Sequence, residues 1–108
     1  MPQLTLEDLA GIVAARAQSG DPASYTARLV GKGVAECARK LGEETIEAVI
    51  AAVSRDPHAL KAEAADVLYH LLVLLHVSGV SLGEVQAELA RRTAQTGLEE
   101  KAARIAGA

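Results

Sequence analysis

Phenylalanine and tryptophan are absent from these 108 residues, and Tyr25 and Tyr69 are the only aromatics. A core without aromatic bulk must be built from Leu, Val, Ile and Ala, which favours close helix packing over an aromatic-rich sheet. Cysteine occurs once, at Cys37. That excludes an internal disulfide and a thiolate metal cage, fits a reduced cytoplasmic compartment, and leaves Cys37 the role of a small buried hydrophobe. Positive charge is not in excess: the net charge is −3, so no global field attracts nucleic acid or an anionic membrane, and a phosphate-bearing ligand would need local cations. Long apolar runs are missing, since Val67–Val77 is too short to span a bilayer. The segment Met1–Leu9 carries Glu7 and Asp8 and lacks the basic start of a signal peptide. With no strand-period alternation, repeat or low-complexity stretch, the class expected is all-α, in one domain over residues 1–108.

What is present reads as a series of capped helices. Thr5-Leu6-Glu7-Asp8 resembles a capping box opening a helix with Leu6, Leu9, Ile12 and Val13 on one face, ending near Ser19-Gly20. Asp21-Pro22 offers a cap followed by proline, predicting a short segment through Leu29 that Gly31-Lys32-Gly33 breaks. A helix is expected from Val34 to Ser54, with Ile46, Val49, Ile50 and Val53 as its apolar stripe, Glu43 and Glu47 flanking it and Glu44 beyond them. Asp56-Pro57 starts a fourth helix to about Val77. Its stretch Val67–Leu75 is apolar almost all round and needs cover on every side, which a chain this short supplies most economically by self-association. Ser81-Leu82-Gly83-Glu84 is a capping box for a helix to about Arg92, and Thr96-Gly97-Leu98-Glu99 opens a last one ending in Gly107.

Two acidic clusters stand out, Glu43-Glu44-Thr45-Ile46-Glu47 and Glu63-Ala64-Ala65-Asp66. In each, acids at i and i+3 lie one above the other on a helix face, which is repulsive unless something positive sits there. A single E-x-x-E only solubilises a helix. Two pairs, Glu44/Glu47 and Glu63/Asp66, on consecutive helices that can pack antiparallel beside a core, suggest a bound cation. Carboxylate oxygens suit Mg²⁺, or Mn²⁺, as hard ions.

Lys40-Leu41-Gly42-Glu43-Glu44-Thr45-Ile46-Glu47 and the run from Glu63 through Asp66-Val67-Leu68-Tyr69-His70-Leu71-Leu72 closely resemble the phosphoribosyl-ATP pyrophosphatase family. The acidic part alone marks only the wider MazG-like superfamily of all-α nucleotide pyrophosphohydrolases. The narrower match also draws on Ser24-Tyr25-Thr26-Ala27-Arg28-Leu29 and on Gly97-Leu98-Glu99-Glu100-Lys101-Ala102, and reaches from about residue 6 to 104. It departs at Thr96, where Ser is expected, and in a loosely matched first helix. The resemblance implies hydrolysis of 1-(5-phospho-β-D-ribosyl)-ATP to the AMP form and pyrophosphate, the second step of histidine biosynthesis. It further implies Mg²⁺ and an antiparallel helical bundle completed by homodimerisation, here in the free-standing form without a cyclohydrolase domain.

On that basis Glu44, Glu47, Glu63 and Asp66 are expected as metal ligands and Glu43 as an acid or base orienting the attacking water. Lys32 and Lys40 are candidates for phosphate contacts, with Arg28, Arg91, Arg92 and Lys101 behind them. Tyr25 is expected to stack on or hydrogen-bond the substrate. His70, four residues after Asp66, either orients that carboxylate or is a buried histidine satisfied by a neighbour. His58 and His76 look incidental. Two competing functions are a MazG-type housekeeping pyrophosphatase for ordinary nucleoside triphosphates and a non-catalytic helical interaction module. A ferritin-like di-iron bundle is disfavoured, because neither Glu47 nor Glu63 is followed three residues on by His.

Overall fold

A computed structural model describes residues 2–94 and 97–107. All its regular structure is helical: α1 (Leu6–Gln18), α2 (Tyr25–Gly31), α3 (Val34–Val53), α4 (Pro57–Ser78), α5 (Leu82–Thr93) and α6 (Gly97–Gly107). Caps set most of these boundaries. The Thr5 hydroxyl accepts from the Asp8 amide at 3.0 Å while the Asp8 carboxylate accepts from the Thr5 amide at 3.1 Å, and Ser81 with Glu84 repeats the device for α5. Asp56 accepts from the Ala59 amide at 3.0 Å with Pro57 in the first helical turn, and Gly79 closes α4 in the left-handed conformation at φ 75°. The box expected at Thr96 lies outside the described residues.

One start differs. Asp21 does not cap α2; its carboxylate accepts from the Ala23 amide at 2.9 Å, an Asx turn, and Ser24 takes the cap by accepting from the Ala27 amide at 3.2 Å. A short acidic side chain that bonds two residues on is consumed by its own turn, so the helix waits for the next hydroxyl. Between α2 and α3, Gly33 sits at φ 95°, a backbone state only glycine adopts without strain, and it opens α3 with no side-chain cap.

α3 and α4, joined by Ser54-Arg55-Asp56, form an antiparallel hairpin that is the principal packing of the chain, with α1 against α2 and α4, and α2 against α3 and α4. The core, Val13, Leu29, Cys37, Leu72 and Val73, lies where α1, α2 and the far end of the hairpin meet. On α3 the inward residues are Cys37, Leu41, Glu44, Ala48 and Ala51, in steps of four and three. The stripe expected to face inward does not: Ile46, Val49, Ile50 and Val53 are between 53% and 75% exposed. Small Ala48 and Ala51 form the closely packed seam, so the bulkier β-branched face is turned out. On α4, Leu72 and Val73 are buried, Leu71, Leu74 and Leu75 are half-buried, and Leu68 is exposed.

The single chain is therefore open. Its radius of gyration is 16.3 Å, against about 13 Å for a compact domain of this length. It exposes 7415 Å², against about 5700 Å² for a compact monomer of this mass. Among the described residues no single helix is long and apolar enough to cross a membrane.

Candidate metal centre

The turn of the inward seam that carries Glu44 on α3 meets the turn of α4 that carries Glu63 and Asp66. One carboxylate oxygen from each of these three lies within 4.8 Å of the others. Glu44 and Glu63 are half-buried and Asp66 is exposed, so the cluster is backed by the hairpin and open on one side. Glu63 Oε2 is buried and has no hydrogen-bond partner. Burial, then the neighbouring carboxylate of Glu47, then the charges of Glu44 and Asp66, push the Glu63 carboxyl above the usual glutamate range. An orphaned carboxylate oxygen among like charges is a costly arrangement that a divalent cation with oxygen preference relieves. The donor set fits such an ion.

The other acids stand outside the trio. Glu47, one turn after Glu44, is exposed but adjoins Glu63 closely enough to raise it. Glu43 is turned away, in ion pairs with Arg39 and, at 3.3 Å, with Lys40. Lys40 reaches across to Glu44 Oε1 at 3.8 Å, and its ammonium is held above its ordinary pKa by the Glu43 hydrogen bond first, and by the Tyr25 phenol and the charges of both glutamates after it.

The cations divide as well. Arg28 on α2 and Lys32, the residue that caps its C-terminal end, line a cavity of about 200 Å³ with Tyr25. Arg91 and Arg92 are paired with Glu88 on α5 at 2.6 and 2.9 Å and hold its carboxyl down to about 2. Lys101 is exposed on α6. A larger cavity of about 470 Å³ runs between α1 and α2 and is lined by Arg16, Ser24, Tyr25, Thr26 and Tyr69, with none of the five acids in its wall. Sequence reading did not single out Arg16, because an arginine in the last turn of a helix already has a reason to be there in the helix dipole.

His70, 6% exposed, does not touch the Asp66 carboxylate. Its Nδ1 donates to the Asp66 backbone carbonyl at 2.8 Å and its Nε2 lies 3.0 Å from the Tyr25 hydroxyl. The buried Thr26 hydroxyl bonds that of Tyr69, and the chain's two tyrosines stack at 6.4 Å between ring centres, with His70 edge-on to both. No local motif could have signalled a contact between residues so far apart in sequence.

A helical hairpin that brings carboxylates of both arms together beside the Lys40 ammonium has the form of an all-α nucleotide pyrophosphohydrolase of the MazG-like kind. Comparison narrows this. Residues 6–93 match the model of the phosphoribosyl-ATP pyrophosphohydrolase family. The chain is 61% identical over 104 residues to the phosphoribosyl-ATP pyrophosphatase of Nitrobacter winogradskyi, covering 96% of this chain and 90% of that protein. It is 60% identical to that of Azorhizobium caulinodans, covering 94% of each, and 59% identical to that of Methylobacterium radiotolerans, covering 96% and 97%. The chain belongs to the phosphoribosyl-ATP pyrophosphohydrolase family.

Proposed function

We propose that this protein hydrolyses 1-(5-phospho-β-D-ribosyl)-ATP to 1-(5-phospho-β-D-ribosyl)-AMP and pyrophosphate, as the second step of histidine biosynthesis. The observation that carries the site is the convergence of Glu44, Glu63 and Asp66 within 4.8 Å, with one buried oxygen of Glu63 left without a partner. These three hold Mg²⁺, and Glu47 joins them from beside Glu63. A bound Mg²⁺ supplies charge neutralisation on the phosphates and a more acidic water. The chain's own residues do the rest. Lys40 meets a phosphate from the edge of the cluster, Arg28 and Lys32 take another in the cavity they line with Tyr25, and Glu43 holds Lys40 in place. Tyr25 contacts the substrate from the same side.

The chain acts as a single cytoplasmic domain, residues 1–108, and as a homodimer. A second copy covers the exposed stripe Ile46, Val49, Ile50 and Val53, an arrangement in which each chain presents the same face to the other. The surplus of exposed surface, about 1700 Å² per chain over a compact monomer, is of the size an obligate dimer buries.

Pyrophosphate release from phosphoribosyl-ATP, measured beside ATP and a panel of deoxynucleoside triphosphates with and without Mg²⁺, tests the reading. Mg²⁺-dependent turnover confined to phosphoribosyl-ATP supports it. Preference for ordinary nucleotides makes the protein a housekeeping pyrophosphatase, and no turnover with any of them makes it an interaction module.

A further inference from the structure

The cavity of about 470 Å³ between α1 and α2 falls within the range of small-molecule sites, about 300–1,000 Å³, and the carboxylate cluster makes no use of it. Its wall holds one cation and one acid, and the two are not paired. Arg16 makes no ion pair among the described residues, and the Asp21 carboxylate accepts instead from the Ala23 amide at 2.9 Å, inside its own turn. Hydroxyl protons are left over beside this guanidinium. Ser24 accepts from the Ala27 amide at 3.2 Å, and its own proton has no acceptor among the described residues. Thr26 and Tyr69 share a single bond between two hydroxyls, so whichever of them donates, the other keeps its proton. Only Ser19 is spent, donating to the Arg16 carbonyl at 2.8 Å and accepting from the Asp21 amide at 3.2 Å. A guanidinium with no carboxylate, flanked by hydroxyls with protons to give, is a donor set for an anion, and its planar fork matches the oxygens of a phosphate.

We infer that Arg16 binds the phosphate at the far end of phosphoribosyl-ATP, the monoester on the second ribose, and so sets that substrate apart from an ordinary nucleoside triphosphate. The inference rests on the substrate proposed above and adds the residue that reads its second phosphate. Location carries the assignment. The anhydride to be cleaved has to meet the carboxylates, and none of Glu43, Glu44, Glu47, Glu63 and Asp66 lines this cavity. A phosphate held here is therefore neutralised by a side chain and not by a metal ion. The cavity nonetheless begins near the cluster: Tyr69 in its wall follows Asp66 by three residues on α4, about 4.5 Å along the helix axis. Phosphoribosyl-ATP has the matching form. Its triphosphate and its monophosphate are separated by a ribose, the base and a second ribose, so with the triphosphate at the cluster the monophosphate must lie away from it.

Two ligands separate the ends of the substrate: ATP carries the triphosphate without the second sugar phosphate, and ribosyl-ATP is the whole substrate without its monophosphate. In Arg16→Met, kcat/KM for phosphoribosyl-ATP should fall about tenfold or more, the scale of a lost hydrogen bond to a charged group, while the inhibition constant of ATP as a competitor stays within about twofold. Ribosyl-ATP should be a poorer substrate than phosphoribosyl-ATP for the parent, and the variant should no longer distinguish the two, since residue and phosphate act as one pair. Arg16→Lys, which keeps the charge and loses the fork, should lie between parent and Arg16→Met. Arg16 is exposed, so the variants should melt with the parent; should Arg16→Met melt far below it, Arg16→Lys with the same three ligands decides. An equal loss of ATP binding places the guanidinium on the triphosphate and overturns the inference. So does a variant that keeps the parental kcat/KM, or one that keeps the parental preference for phosphoribosyl-ATP over ribosyl-ATP. A parent with no phosphoribosyl-ATP turnover overturns the substrate reading and this one with it; an active parent with any of the other three outcomes overturns only this one.

Discussion

Lys40 stands 3.8 Å from Glu44 and 3.3 Å from Glu43, so an ammonium is already placed against one of the three carboxylates proposed to hold the metal. In the metal-free chain it partly cancels the charge that a divalent ion would otherwise meet. Lys40→Met should therefore lower the Mg²⁺ concentration for half-maximal activity, by no more than about fivefold given how little partly exposed ion pairs contribute. It should raise KM for phosphoribosyl-ATP, since the same ammonium is proposed to meet a phosphate. A Mg²⁺ titration and a substrate titration on the same variant check both directions.

Removing a charge from the trio should damage turnover without damaging the fold. Glu44→Gln or Asp66→Asn is expected to reduce pyrophosphate release by several orders of magnitude, while the metal-free variant melts at the parental temperature or slightly above it, because a repulsive pair has been relieved. Mg²⁺ should raise the parent's Tm and do so less for the variants, since an ion stabilises only the state that binds it. Melting curves with and without Mg²⁺, beside a turnover assay, measure all of this.

Glu63 gives the metal-free protein a pH dependence of definite sign. Its carboxyl titrates above the ordinary 4.5, from burial first and its acidic neighbours second. The folded chain thus holds that proton more tightly than the unfolded chain. Stability should fall as pH rises from the usual glutamate range through the raised value, and recover on acidification. Glu63→Gln should flatten that part of the profile. Tm against pH in excess chelator, for parent and variant, is the measurement; a parent and variant with parallel profiles would count against the crowded geometry.

The exposed α3 stripe makes a prediction about assembly. At micromolar concentration the protein should sediment as a dimer, and Ile50→Glu should shift it toward monomer while leaving the helical far-ultraviolet signal of the hairpin. Leu72→Ala, inside the core, should instead cost about 2–5 kcal/mol of stability and lower the Tm of whatever species is present. A parental monomer in the ultracentrifuge would remove the second copy from the proposal.

The capping residues were legible in sequence because capping is local: Thr5, Asp56 and Ser81 each bond an amide within one turn, and the hairpin's glycine and proline boundaries follow the same rule. Asp21 misled because the same local chemistry serves a turn as well as a cap. The acids were legible as spaced pairs, but which of them converge was not. α3 has two apolar faces, and its hydrophobic pattern is dominated by Ile46, Val49, Ile50 and Val53, so periodicity alone put these inward and Glu44 outside. The seam is made by Cys37, Leu41, Ala48 and Ala51, and the small side chains of Cys37, Ala48 and Ala51 weigh little in such a pattern but allow the helices to approach. Glu44 lies on that seam, and for that reason it, rather than Glu43, meets both Glu63 and Asp66, while Glu47 adjoins Glu63 alone. The Tyr25 to His70 bond joins elements distant along the chain, and only the folded arrangement reveals it.

Cys37 is fully buried where α3 begins, its thiol 3.5 Å from the Leu29 carbonyl and pushed above its ordinary pKa by burial. Since it is the chain's one sulfhydryl, alkylation has a single address, and the reagent can reach it only when the junction of α2 and α3 opens. The rate of modification in native buffer therefore clocks that opening directly. The protein carries an internal reporter of its own breathing, usable without introducing a label, and one whose response to Mg²⁺ would show whether filling the carboxylate cluster tightens the far end of the same helix.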